Sequence, residues 1–181
     1  MERREKVSKR MFLFFLCFLF FVLLQFISPL LLPTATITDL SGTTVFLDHP
    51  EEEHTIPPPF AIIYSLGDIL CHQKEERSLF LNQNQMPFCS RCTAIWIGMA
   101  IGICIALFIK FELNMRFIAL FFLFIVPLFI DGCGQLIGLW ESTNFLRLIT
   151  GLLAGIISGI SLDCIIDELR MVRKEKKFFS Y

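Results

Sequence analysis

The sequence predicts an all-α fold, an integral membrane bundle of four transmembrane helices plus a short outer-leaflet or re-entrant helix. Three observations predict it. Of 181 residues, 55% are hydrophobic and 21 are Phe, with a mean hydropathy of +0.66, more apolar than an ordinary soluble domain. Four stretches approach the roughly 20 apolar residues that a helix needs to cross a bilayer. Charge is also segregated. Residues 1–10 hold Arg3, Arg4, Lys6, Lys9 and Arg10, and residues 170–177 hold Arg170, Arg173, Lys174, Lys176 and Lys177, whereas the first long loop carries Asp39, Asp48, Glu51, Glu52 and Glu53. Basic ends around an acidic loop place both termini in the cytoplasm of a multi-pass cell-membrane protein.

Taken in order, residues 11–32 form the first span, free of charge throughout. A cleaved signal peptide is the alternative for this segment. Its apolar run is longer than a signal core and residues 33–36 make a poor cleavage site, so an uncleaved anchor is expected. Residues 33–59 read as an acidic extracytoplasmic loop, in which His49, Glu51, Glu52, Glu53 and His54 form a solvated run rather than a cation site. The apolar segment 60–70 is about half the crossing length, starts after three prolines and contains Asp68, hence the short outer-leaflet or re-entrant assignment. Residues 93–109, 117–140 and 146–166 are the remaining spans, joined by a cytoplasmic turn between Lys110 and Arg116 and an outer loop at 141–145. Residues 60–169 thus make the membrane domain, and 170–181 a basic cytoplasmic tail. Trp96 and Trp140 fall near outer span ends, where indole rings settle.

Small residues recur every four positions at Ala94, Gly98, Gly102 and Ala106, at Gly134 and Gly138, and at Gly151, Gly155 and Gly159. Such rows let helix backbones approach in lipid. They predict a compact core of the last three spans, with the Phe-rich first helix packed loosely outside.

The polar residues in or beside these spans are the candidates for function. Cys17, Cys104 and Cys164 lie within spans and serve as small hydrophobes; Cys133 stands near Asp131. By contrast, Cys71, His72, Cys89 and Cys92 belong to the outer loop or its edge, and three sulfurs and an imidazole are the ligand types of a tetrahedral zinc site. Zinc is the cofactor such a set would take. The adjacency of Cys71 and His72 makes convergence of both on one metal awkward, and a three-Cys site with an open position is the variant. Outside the cytoplasm thiols also tend to be oxidised, and Cys89-x-x-Cys92 with Arg91 between the sulfurs has the spacing of a reactive dithiol. A disulfide from Cys71 to Cys89 or Cys92 is therefore a further reading.

On the third span, Asp131, Gln135, Gly138 and Glu141-Ser142 share a face by helical spacing. Asp131 is placed about 15 Å from the outer end of that span by helical rise, where a carboxylate requires a partner or a proton. Arg147 is the expected cation, on a face with Asn144, Gly151 and Gly155, and Arg77 and Arg91 are within reach from the loop. The candidate ligand-binding set is thus Arg77, Arg91, Asp131, Gln135, Glu141, Ser142, Asn144 and Arg147, as a pocket for an anionic or polar headgroup. A network that only glues helices together is the competing reading. At the inner end Asp163, Asp167 and Glu168 are expected to pair with the basic tail.

The combination Cys71-His72-Gln73, Arg77-Ser78, Pro87-Phe88-Cys89-Ser90-Arg91-Cys92-Thr93, Asp131-Gly132, Gln135, Gly138, Glu141-Ser142-Thr143-Asn144, Arg147 and Thr150-Gly151 resembles a family of small prokaryotic integral membrane proteins catalogued as domain of unknown function 2085. The resemblance covers roughly residues 60–166. Ala94 stands where that pattern leads one to expect Gly. The resemblance implies one recurring unit of polar positions, and no activity, substrate or cofactor.

Nucleic acid is excluded as a partner, because the basic clusters abut apolar spans and no nucleic-acid motif accompanies them. No serine-nucleophile, phosphate-loop or dinucleotide motif is present. Membrane lipid is the expected partner, with a membrane protein or a second copy of the chain as further candidates. Three functions remain open: a zinc-type site beside a headgroup pocket, a membrane thiol–disulfide oxidoreductase using Cys89 and Cys92, perhaps coupled to a quinone, and a non-enzymatic membrane subunit or assembly factor.

Overall fold

The structure, a computed structural model, describes residues 9–42 and 56–178. Among the described residues there are five helices and one hairpin: α1 (Lys9–Leu31), α2 (Phe60–Leu70), a 3-10 turn at Glu75–Arg77, β1 (Ser78–Leu81), β2 (Asn84–Cys89), α3 (Ser90–Phe108), α4 (Met115–Leu136) and α5 (Asn144–Phe178). Four of these helices are long and apolar enough to cross a membrane, over Met11–Leu31, Ser90–Phe108, Met115–Leu136 and Asn144–Leu169. The run 49–54 lies outside the described residues.

Helix packing follows side-chain size. α3 and α5 make the most intimate pair, α1 packs on the other side of α3, and α4 leans on α5. Gly98 and Gly102 of α3 meet Gly155 and Gly159 of α5 so closely that a Cβ added at Gly102 would sit 2.1 Å from the Ile156 carbonyl oxygen. Backbone-to-backbone approach of this kind needs glycine on both helices. α4 has no such row. It meets α5 through Phe117, Phe121 and Phe124, packed with Ile157 and Ile160, while Phe122, Leu123, Phe129 and Ile130 face outward. The expected three-helix core is therefore corrected to a layered order of α1, α3, α5, α4, in which α4 is as peripheral as α1. Gly134 is small for a different reason, since a Cβ there would strike the Trp140 ring at 2.2 Å.

α4 ends at Leu136, four residues short of the predicted boundary at 140. Gly138 has φ +74°, a conformation that glycine adopts readily and that turns the chain out of the helix. Glu141 and Ser142 consequently lie off the helix, and the shared helical face predicted for them with Asp131 is corrected. Asp131 is five residues from the end of α4, closer to the surface than the predicted 15 Å. α5 then starts as Thr143 Oγ1 accepts from Leu146 N at 3.2 Å, an N-terminal cap.

The described parts of the stretch between α1 and α3 are built rather than open. β1 and β2 pair antiparallel with Phe80 opposite Gln85 and Leu81 opposite Asn84, joined through Asn82 and Gln83 at φ 52° and 59°, the two left-handed residues of a tight hairpin turn. Asn84 and Gln85 fasten this hairpin to the segment after α1. Asn84 Oδ1 accepts from Thr36 N (2.8 Å) and Ile37 N (3.1 Å), and its Nδ2 donates to Pro29 O (3.0 Å) and Pro33 O (2.9 Å). Gln85 Oε1 accepts from Leu40 N at 3.0 Å. Beneath them Leu32, Ile37, Leu40, Ile56, Ile63, Tyr64 and Phe88 form a core that α2 completes. Trp96 is part of this packing, with its ring 4.6 Å from Phe21 and 6.3 Å from Phe88.

Since the four spans alternate in direction, the start of α1 and the C-terminal part of α5 sit at one end of the bundle and the hairpin caps the other. At the end away from the hairpin, Lys110 Nζ lies 2.9 Å from Asp163 Oδ2 and 2.8 Å from Asp167 Oδ2. Lys110 of the turn after α3 thus pairs with both carboxylates, and the side chains of the basic tail expected to meet them lie outside the described residues.

Candidate functional site

At the hairpin end, β2 runs directly into α3, with Cys89 in extended conformation just before the first helical turn. Cys92 follows one turn later, and Cys71 sits at the C-terminus of α2. The three sulfurs lie within 4.8 Å of one another and are not bonded. A tetrahedral zinc with bonds of about 2.3 Å would hold sulfurs about 3.8 Å apart, so a small contraction brings this set to ligand geometry.

The placement of Cys71 rests on its surroundings. Gly67 lies against the hairpin so closely that a Cβ would be 1.9 Å from Pro87 O. Gln73, buried at φ 41°, donates from Nε2 to that same oxygen at 2.7 Å. Ser90 Oγ donates to Arg77 O at 2.9 Å and ties the 3-10 turn to the head of α3. Ser78 Oγ donates to Lys74 O at 2.9 Å and accepts from Gln85 Nε2 at 3.0 Å, so Gln73, Ser78 and Ser90 are framework residues.

His72 does not join the sulfurs. It is exposed, and its ring is not among the converging ligand atoms. Cys71 has φ −144° and ψ 145°, and side chains of successive extended residues point to opposite sides. The predicted Cys/His quartet is thus corrected to a trio, although His72 lines the same cavity.

Three sulfurs this close cannot all carry charge. Hydrogen bonds from the Cys71 thiol and then the Cys92 thiol hold Cys89 far below an ordinary thiol. Cys71 is pushed up to about 11, first by its hydrogen bond to Cys89.

Next to the trio stands a cluster of guanidiniums. Arg91, on the first turn of α3, pairs with Asp131 of α4; Asp131 is only 3% exposed. The predicted partner, Arg147, does something else. It is 4% exposed, its Nη1 donates to Asn144 Oδ1 at 2.9 Å, and its Nη2 reaches Gln135. With the amide oxygen turned toward the arginines, Gln135 accepts from Arg147 Nη2 at 2.8 Å and from Arg77 Nη2 at 3.3 Å. Arg91 Nη2 stands 3.4 Å from the other end of the same amide, which carries the nitrogen in this orientation, so Arg91 is a neighbour there and not a donor. One amide is therefore ringed by three guanidiniums from the 3-10 turn, α3 and α5. The Nε atoms of Arg91 and Arg147 and Oδ1 of Asp131 are buried without a hydrogen-bond partner, and Arg77 Nε faces the exposed carboxylate of Glu76 at 3.5 Å.

Two cavities open around this ring. One, of about 310 Å³, is lined by Cys71, Cys89, Cys92, Arg77, Arg91 and Arg147. The other, of about 420 Å³, is lined by Arg77, Gln135, Glu141, Ser142, Asn144 and Arg147. Arg77 and Arg147 form a wall common to both. Every predicted ligand-binding residue except the pair Arg91 and Asp131 lines the second cavity. Glu141 is exposed at its edge, and Ser142 is buried, with Oγ 3.5 Å from Thr143 O. The sequence reasoning missed Glu76 and Trp140, which also line the second cavity, and Lys74, which lines the first. Trp140 had been assigned to the interface alone; the small residue at Gly134 was the signal that a ring folds back over α4.

Residues 71–161, half of the chain, match a family described as "Predicted membrane protein (DUF2085)". An uncharacterized protein of Methanocaldococcus jannaschii is 40% identical over 95 residues, 51% of this chain and 61% of the relative. An uncharacterized protein of Methanothermobacter thermautotrophicus is 41% identical over 87 residues, 48% of this chain and 78% of the relative. The chain thus spans less than two thirds of the first relative's length. No solved structure matches. The matched stretch contains the sulfur trio and the whole guanidinium ring, while α1 lies outside it. With its four membrane-crossing helices and this polar end, the chain belongs to the DUF2085 family of predicted membrane proteins.

Proposed function

We propose that this protein is a membrane-embedded binding module whose hairpin end faces the extracytoplasmic side. It takes the anionic headgroup of a lipid or a small oxyanion on Arg77, Arg91 and Arg147, beside a zinc-type ion on Cys71, Cys89 and Cys92. The basic residues at both chain ends support the orientation. The observation that carries the anion site is the convergence of three guanidiniums on one amide with one buried carboxylate among them; Glu76 reaches Arg77 Nε only from the exposed side, at 3.5 Å, and the Nε atoms of Arg91 and Arg147 lack acceptors. Unmatched charge at low dielectric is destabilising, and a bound oxyanion supplies both the charge and the acceptors. Thermal melting of the detergent-solubilised protein tests this. Inorganic phosphate should raise the melting temperature of the wild type and not that of Arg147→Gln. An unresponsive wild type removes the anion site. Zinc at about one per chain after purification supports the metal site, and its absence under chelator-free reducing conditions removes it.

The second reading, a thiol–disulfide oxidoreductase, is favoured by one observation, three unbonded sulfurs within 4.8 Å of one another. It requires a Cys89–Cys92 or Cys71–Cys89 disulfide to form and exchange with an external dithiol. Mass spectrometry after mild oxidation and alkylation reads this directly, and full alkylation of all three cysteines excludes it.

A further inference from the structure

We propose that the metal position and the anion position are one site, in which a phosphate oxygen of the ligand completes the coordination of an ion held by Cys71, Cys89 and Cys92 while Arg77, Arg91 and Arg147 hold the remaining oxygens. This rests on the reading above and specifies the ligand as a phosphomonoester or free phosphate. Three thiolates leave a fourth tetrahedral position open to an exogenous ligand. His72, expected to fill it, is exposed and is not among the converging ligand atoms. The sulfurs and all three guanidiniums line a single cavity of about 310 Å³, room for a phosphoryl group beside an ion. Arg147 is nine-tenths buried there, with Nε unpartnered. Charge agrees. A divalent ion on three thiolates carries one negative charge, Asp131 a second and Glu76, 3.5 Å from Arg77 Nε, a third, against the three arginines and Lys74 of the same cavity, so one positive charge remains when the metal is bound.

The consequence is coupling, because the ion and the phosphate share a bond and each should strengthen the other's binding. Co²⁺ makes this visible, since thiolate-bound cobalt has ligand-field bands that respond to its fourth ligand. The full chain in detergent micelles, stripped of metal under reducing conditions and loaded with Co²⁺, is titrated with inorganic phosphate. The bands should shift saturably, and phosphate should bind the loaded protein at least about tenfold more tightly than the metal-free protein, the equivalent of about 1.4 kcal/mol. Arg77→Gln changes the least buried of the three arginines. It should keep the cobalt–thiolate spectrum, which reports an intact fold and metal site, and weaken phosphate by about tenfold. Micelles containing phosphatidic acid distinguish the two sources of the ligand. A shift at much lower phosphatidic acid than phosphate assigns a lipid headgroup, and a shift with phosphate alone assigns a solute; both support the shared site. An equal shift with phosphatidylcholine overturns the monoester assignment. A cobalt spectrum unmoved by phosphate, with phosphate still raising thermal stability, overturns the shared site and leaves two separate sites standing. Failure to bind Co²⁺ at all overturns both this inference and the metal half of the reading beneath it.

Discussion

Gly98 of α3 and Gly155 of α5 meet face to face. A Cβ added to either would lie 2.9 Å from the Cα of the other. The obstruction is backbone on both sides, Leu152 O at 2.5 Å from position 98 and Ile95 O at 2.3 Å from position 155, and backbone cannot rotate away as a long side chain can. Gly98→Ala and Gly155→Ala should each destabilise the fold by about 1–3 kcal/mol, the range for overpacking a tight interior. Gly132→Ala is the control. A Cβ there meets only Arg91 Nη1 at 3.9 Å, so its effect should stay within about 0.5 kcal/mol. Detergent-denaturation curves of the three variants decide the matter. Equal stability of all three would show that α3 and α5 are not held at this separation.

A second dependence concerns Asn84, whose side chain does the work of four backbone partners at the end of α1. Removing it in Asn84→Ala leaves the Thr36 and Ile37 amides and the Pro29 and Pro33 carbonyls without their bonds. Each buried group left unsatisfied costs about 1–3 kcal/mol; solvent can reach Thr36, so a total near the low end is expected, at least about 2 kcal/mol. Hydrogen exchange should show Thr36 and Ile37 opening faster while amides in the middle of α3 keep their protection. Unchanged exchange at both residues contradicts the clamp.

How much of this was legible in the chain depends on the physics behind each signal. The four crossing segments follow from hydropathy, and the close α3–α5 pairing from glycines spaced four apart, because lipid leaves backbone approach as the main packing option. The end of α4 was not legible. Leu139 and Trp140 continue the apolar run past Gly138, and hydropathy does not record a left-handed turn. The hairpin was hidden because Asn82-Gln83 lacks the glycine that normally marks such a turn. For the site, the sequence brought the right side chains into one neighbourhood but mispaired them. Helical faces pointed Arg147 at Asp131, whereas the short reach from α3 gives that carboxylate to Arg91 and leaves Arg147 for Gln135. His72 was misplaced for an equally local reason, the extended backbone at Cys71.

Lys110 gives a pH dependence of known sign. Burial alone would lower its pKa, but hydrogen bonds to Asp167 and Asp163 outweigh burial and raise it above the usual 10.5. A cation whose pKa is raised on folding contributes stability that is fully present below the unfolded value and is lost as pH rises through the folded one. The wild type should therefore lose stability above pH 10.5, beyond the loss shown by Lys110→Met. Because the Lys110 side chain is 51% exposed, solvent screening keeps the effect under about 1 kcal/mol. Melting temperatures of the two proteins between pH 8 and 12 measure it, and parallel curves would remove Lys110 from the alkaline response.

Asp131 offers the sharpest separation between a network that only holds helices together and one that also receives a ligand. It is the buried counter-charge to Arg91, and Asp131→Asn keeps the shape while deleting the charge. Breaking one side of a buried ion pair typically costs about 3–5 kcal/mol, because the other charge is left uncompensated. Melting temperature in phosphate-free buffer should fall accordingly. A purely structural network predicts that this loss is the same whatever the buffer contains. An anion site predicts recovery: with Asp131 neutral, the ring of Arg77, Arg91 and Arg147 is more positive, so phosphate should bind more tightly and stabilise the variant by more degrees than the wild type. Sodium chloride at matched ionic strength controls for screening. A phosphate response in Asp131→Asn no larger than in the wild type would mean that this carboxylate does not compete with an anion for the guanidiniums, and its role would then be confined to joining α3 to α4.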